Sequence, residues 1–143
     1  MKIRITILLS LAIILGILGC SKDVDRSPTG PVTRLRGKVA VANNSNLIIT
    51  LVQYTHIRQD RQATVRLVRN LNPGFNFYLR NALDNNDSQI FEGGDRVLVH
   101  FRALESDPDD PGQPLFQNTV ELIVNGSQMI HVKDGGDYGI SPE

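Results

Sequence analysis

Tryptophan is absent from this 143-residue chain, cysteine occurs once, and aromatic residues make up only 6% of it. A single cysteine excludes an intrachain disulfide and any site that needs two thiolates from one chain. Fifteen basic residues balance fifteen acidic ones, so the chain lacks the positive excess of a nucleic-acid binder, and none is expected as a partner. Catalytic signatures are missing as well: there is no G-x-S-x-G, no S-x-x-K, no H-E-x-x-H and no phosphate-binding glycine loop. After residue 20 no segment carries a 3.6-residue apolar stripe, so helices are not expected. These absences point away from an enzyme and from any bound cofactor.

What is present begins with a charge-free apolar run from Ile5 to Leu18, preceded by Lys2 and Arg4 and followed by Gly19 and Cys20. A basic start, an apolar middle and a small residue at the end are the three parts of a secretory signal. The run is shorter than the roughly 20 residues that cross a bilayer as a helix, which argues against a permanent span. Residues 1–19 are therefore read as a signal peptide. Removing them leaves thirteen basic against fifteen acidic residues, and what remains is the usual size of one domain.

The tetrapeptide Ile17-Leu18-Gly19-Cys20 resembles the bacterial lipobox. That resemblance implies cleavage between Gly19 and Cys20, diacylglycerol on the Cys20 thiol and acylation of the new amino terminus. Each buried methylene adds about 0.8 kcal/mol, so several chains together hold a protein to the bilayer where one would not. Ser21 is not the aspartate that retains lipoproteins in the inner membrane of enteric bacteria. The implied address is the cell envelope, with the outer membrane favoured, on its periplasmic side or exposed at the surface. Residues 20–32, "CSKDVDRSPTGPV", read as a lipidated cysteine and a flexible tether reaching roughly 40 Å when extended.

From Leu35 the apolar pattern has period two, the signature of half-buried strands. Val39 and Val41 alternate with Lys38 and Ala40; Val65 and Leu67 with Thr64 and Arg66; Phe75, Phe77 and Leu79 with Asn76, Tyr78 and Arg80; Val97, Val99 and Phe101 with Leu98, His100 and Arg102. Turn-forming clusters such as "NNSN", "NPG", "EGGD" and "NGS" separate these runs. The expectation is an all-β fold, a single antiparallel β-sandwich of about seven strands over residues 33–133, with 134–143 as a C-terminal tail. A closed barrel is the competing architecture.

The order "LRGKVAV", "PGFNFYLR", "GDRVLVHFRAL" and "PLFQNTVELIVNG" is similar to the small β-sandwich lipoproteins of the YbaY and type III secretion pilotin-like group. The resemblance implies a binding or scaffolding module, some members of the group being chaperones of a membrane partner. The chain departs from the group at "HIRQDRQ" and at "ESDPDDPGQP".

Two candidate sites emerge from the residues. Arg66, Tyr78, Arg80, His100 and Arg102 fall on the outward phase of their strands, and would form a face for an anionic partner if those strands are neighbours. Arg58, Arg61 and Arg69 would extend that face around the strand ends. Asp107, Asp109 and Asp110 offer hard oxygen ligands to calcium, although the acid that should close an EF-hand loop is replaced by Asn118. The turn reading is preferred for "EGGDR" and "DGGDY", with aspartate side chains capping the backbone. The function these features favour is a membrane-anchored module that binds or assembles an envelope protein. A structural surface lipoprotein, or an ion- or ligand-binding domain using the acidic loop, is the alternative.

Overall fold

A computed structural model of the chain describes residues 35–84 and 87–143. The signal segment 1–19, the cleavage point Gly19, the lipidation candidate Cys20 and the tether lie outside the described residues. The described part is an all-β sandwich, as the alternation predicts. Its strands are β1 (Val39–Asn43), β2 (Ile49–Arg58), β3 (Arg61–Leu71), β4 (Asn76–Tyr78), β5 (Arg96–Ala103), β6 (Gln117–Ile123), β7 (Gln128–Val132) and β8 (Tyr138–Pro142).

Two four-stranded sheets form, one ordered β4-β1-β7-β8 and the other β3-β2-β5-β6. The residues of one phase on each strand meet between the sheets. Val41, Ile130 and Val132 of the first sheet and Leu51, Val99 and Phe101 of the second are fully buried there. At roughly 25 cal/mol per Å² of apolar surface removed from water, this layer is the main favourable term holding the sheets together.

Three features depart from the sequence expectation. Residues 134–143 are not a tail: Asp134–Gly136 make a 3-10 turn and Tyr138–Pro142 pair with β7 as β8. The pairing is not wholly antiparallel, because β1 runs parallel to β7. The "HIRQDRQ" segment, to which the alternation assigns no strand, is strand and turn: β2 and β3 continue through it to a tight turn between Arg58 and Arg61, with Gln59 at φ +55°.

A bulge in β2 decides which of its side chains face inward. Register shifts between Leu51 and Gln53 against both β3 and β5. Extra residues in one strand of a pair bend it and re-aim its side chains. On β2 the buried phase moves from Ile49 and Leu51 to Tyr54 and His56. At the partner position on β3, Val68 has φ +46°, a left-handed conformation that costs a β-branched residue on the order of 1–3 kcal/mol.

Close approach fixes one glycine. Gly37 exchanges backbone hydrogen bonds with Phe91, at 3.1 and 2.8 Å. A Cβ there would sit 2.0 Å from the carbonyl carbon of Gly126.

Candidate binding site

The expected cationic face is only partly assembled. In the second sheet, Gln53 pairs with Arg66 on one side and His100 on the other, and His100 pairs with Thr119. Directly opposite residues share a face, so Arg66, His100 and Thr119 lie in one row across the outer side of this sheet. The next row carries Asn70, Thr50, Arg102 and Gln117. His100 Nδ1 lies 3.0 Å from the Thr119 hydroxyl. Arg66 and Arg102 are exposed, and among the described residues neither has a carboxylate partner.

Tyr78 and Arg80 do not join them. β4 belongs to the other sheet, so the strand that carries Tyr78 is not hydrogen-bonded to β3 or β5. The Tyr78 hydroxyl donates to Glu143, and the Arg80 guanidinium pairs with Asp87 at 2.9 Å. Arg58, Arg61 and Arg69 also leave the outer face. Arg58 enters a buried network, Arg61 donates to the Leu83 carbonyl, and Arg69 lies over the Phe77 ring of the opposite sheet.

The acidic loop is a short arm in which the acids serve the backbone. Asp107 accepts from the Asp109 amide at 2.9 Å and Asp110 from the Gly112 amide at 3.3 Å. Among the described residues no group of three His, Cys, Asp or Glu side chains converges as a metal site. Asp107, Asp109 and Asp110 are therefore not gathered into a calcium cage.

The sequence reading missed a buried network at one end of the sandwich. His56 and Asp95 are both buried, with His56 Nε2 2.7 Å from Asp95 Oδ2. Arg58 meets the same carboxylate with two parallel bonds of 2.9 Å and reaches Asp84 at 3.2 Å. The Glu92 amide donates a further bond to Asp95 at 3.0 Å, so the aspartate also caps the "EGGD" turn as expected. Burial alone would raise the Asp95 carboxyl, but the bonds from Arg58, His56 and Glu92 outweigh it and hold it below its ordinary value. For His56 burial dominates over the attraction of Asp95 and lowers its pKa, which keeps the ring neutral. The neutral ring donates from Nε2 to Asp95, and Nδ1 is left buried without a partner. A carboxylate-held imidazole is the arrangement of a general base, but here the free nitrogen belongs to a ring that is 0% exposed and, among the described residues, has no hydrogen-bond partner.

Among the described residues a cleft of about 310 Å³ lies between the two sheets where β3 faces β4. Tyr54, Val65, Leu67 and Phe77 supply its walls, Arg69 and Arg80 its charges, and Tyr78 and Gln89 complete the lining. It exists because β4 is three residues long while β3 has eleven, leaving Val65 and Leu67 only half covered. The Tyr54 hydroxyl donates to the Arg80 carbonyl at 2.7 Å and ties β2 to the segment after β4 beside the opening. Burial is the main cause of a raised Tyr54 pKa, so this hydroxyl stays a donor at neutral pH.

No family model matches the chain, and no curated protein does. Solved structures of the human-specific toxin intermedilysin are similar to it at a low level. One matches at 11% identity over 76% of this chain and 23% of the toxin chain, with a TM-score of 0.41. A disulfide-locked mutant of the toxin with human CD59 matches at 8% identity over 76% and 24%, also at 0.41. This chain thus spans about a quarter of those toxin chains, and a likeness of that degree carries no argument about function.

Proposed function

We propose that this chain is an exported lipoprotein, joined to a membrane of the cell envelope through Cys20, whose β-sandwich is a non-catalytic module that holds an envelope protein partner. The lipobox-like "ILGC" supports the anchor. Among the described residues no helix is long and apolar enough to cross a membrane. The residues between Cys20 and Leu35 would reach about 50 Å if extended, enough to hold a domain clear of lipid headgroups.

The observation that carries the binding reading is the outer side of the β3-β2-β5-β6 sheet. Arg66 and Arg102 stand there without carboxylate partners among the described residues. The one carboxylate in its paired rows, Glu121, is engaged by Arg96 at 2.6 Å. A flat polar face with spare guanidiniums complements an acidic protein surface, and charge of this kind governs encounter rate and partner choice.

The experiment is capture from a detergent extract of the native membrane, comparing the wild-type chain with an Arg66→Glu/Arg102→Glu variant of unchanged thermal stability. A stoichiometric partner retained by the first and lost by the second is the expected outcome; equal retention refutes the assigned face. Mass spectrometry of the native amino-terminal peptide should show an acylated Cys20. An unprocessed Met1 terminus refutes the anchor.

A further inference from the structure

We propose that the cleft between β3 and β4 is a binding site for a small amphipathic anion, a carboxylate or phosphate carried on a short apolar body. Its position between the sheets separates it from the outer face on which partner docking rests, so the two readings stand or fall separately.

Arg69 is the first argument. Through the register of β3 on β2 it lies opposite Leu51, which in turn lies opposite Phe101. Both of those residues are 0% exposed, so Arg69 stands on the core-facing side of its strand. Its neighbour Val68 is turned out and 56% exposed, at φ +46°. An apolar side chain turned to solvent and a charged one turned to the cleft is the reverse of what burial alone selects. Rules of this kind are broken, and backbone strain is tolerated, where a site requires it.

Charge gives the second argument. Among the described residues that line the cleft none is acidic, and two are arginines. The Arg69 guanidinium sits 4.7 Å from the centre of the Phe77 ring, which holds it in place without neutralising it. Among the described residues it has no carboxylate partner. Among the described residues the carboxylate paired with Arg80 is the exposed Asp87, a contact that an incoming oxyanion can replace. Two guanidiniums at one opening can offer paired N–H donors to a carboxylate or phosphate.

The walls give the third. Val65, Leu67, Phe77 and the ring of Tyr54 present apolar surface, so a bare inorganic anion would leave most of the cleft unfilled. A volume of about 310 Å³ lies at the small end of ligand sites, which run from roughly 300 to 1,000 Å³. That suits an aryl or short acyl body with one anionic head, not a full membrane lipid.

The test is titration of the isotope-labelled full-length chain with phenyl phosphate and with hexanoate, followed by NMR. Phenol, which keeps the body without the charge, and inorganic phosphate, which keeps the charge without the body, are the comparisons. The expected result is saturable shifts at the amides of Val65–Arg69 and Phe77–Arg80, with both comparison compounds at least tenfold weaker. Arg69→Gln should weaken phenyl phosphate about tenfold, the loss of a charged hydrogen-bonding group being worth about that factor. Phenol binding as tightly as phenyl phosphate, shifts confined to other segments, or no saturable shift for either anion overturns the proposal. The selectivity among the four compounds is read on the wild-type chain, so it stands even if Arg69→Gln fails to fold.

Discussion

Asp95→Ala should be among the most damaging single changes in this domain. The carboxylate accepts four hydrogen bonds, one from His56, two from Arg58 and one from the Glu92 amide, all between 2.7 and 3.0 Å. Removing it leaves a mostly buried guanidinium and a fully buried imidazole N–H facing a void, and breaking a buried ion pair from one side costs about 3–5 kcal/mol. The orphaned Glu92 amide adds about 1–3 kcal/mol, for a total of about 4–8 kcal/mol. A domain of this size has about 5–15 kcal/mol in all. The assay is equilibrium urea unfolding at pH 7, with Asp95→Asn alongside, because the amide keeps one acceptor oxygen for Glu92 and loses the charge and the second acceptor. Asn should fall between wild type and Ala. The decisive comparison is a triple variant, His56→Phe/Arg58→Met/Asp95→Leu, which removes all three polar partners together and should cost less than Asp95→Ala alone. If the triple variant is the less stable, or if Asp95→Ala loses under about 2 kcal/mol, the penalty does not come from uncompensated buried charge and the reasoning is wrong.

Acid should unfold the domain in two stages. The folded pKa of His56 lies below its unfolded value of 6.5, so the folded state binds fewer protons and stability falls as pH drops below about 6.5, at up to about 1.4 kcal/mol per pH unit. Asp95 is likewise depressed from 3.8, so its contribution is complete above about pH 4 and is lost as pH falls through its folded pKa. Chemical denaturation from pH 7.5 to 3 should show both, and His56→Phe should flatten the upper window alone. Gly37→Ala drives a Cβ to 2.0 Å from the Gly126 carbonyl carbon and should cost about 3 kcal/mol or more, read as a fall in Tm. Val68→Gly should change stability by less than about 1 kcal/mol, because relief of the φ +46° strain offsets the usual strand penalty of glycine; a loss above about 2 kcal/mol would argue against strain there.

Period-two reading found the sheets because Val97, Val99 and Phe101 keep strict alternation along a strand with no bulge on its own backbone. Alternation does not carry through β2. Counting outward from Ile49 and Leu51 by twos would send His56 to solvent, and the bulge before Gln53 returns it to the inside. A bulge is a local backbone event with no residue signature here, no glycine or proline marking it, so the buried network was not legible. Arg69 was misread on a different ground. Its register opposite Leu51 places it on the inner side of β3, but its charge made the outer face the natural assignment. β8 was hidden because "YGISP" holds one large aliphatic residue and a terminal proline, which an edge strand accepts and a central strand does not. Tyr78 lies on β4 and Arg80 just past its end, and alternation along a run says nothing about which sheet its strand enters.

The buried network and the cleft are mechanically joined, and that joint is itself testable. The wall that carries Arg80 and Gln89 comes from the segment after β4, whose described residues form no strand. Backbone bonds hold it at Leu79–Val39, Asn81–Ser88 and Phe91–Gly37, and side chains tie the stretch between them: Asn81 donates to the Ile90 carbonyl and to Asp84, Asp84 receives Arg58, and Arg58 is fixed by Asp95. Asp95 is therefore a positioning residue for a wall it does not touch. Asp95→Asn, studied where it is still fully folded, should raise hydrogen exchange in the segment from Leu79 to Phe91 before it does so in β5 or β6, because local opening follows the weakest set of contacts. Phenyl phosphate affinity should fall in the same variant with no change at Arg69 itself. If exchange rises uniformly across all strands instead, the network supports the core as a whole and the wall is held by something else.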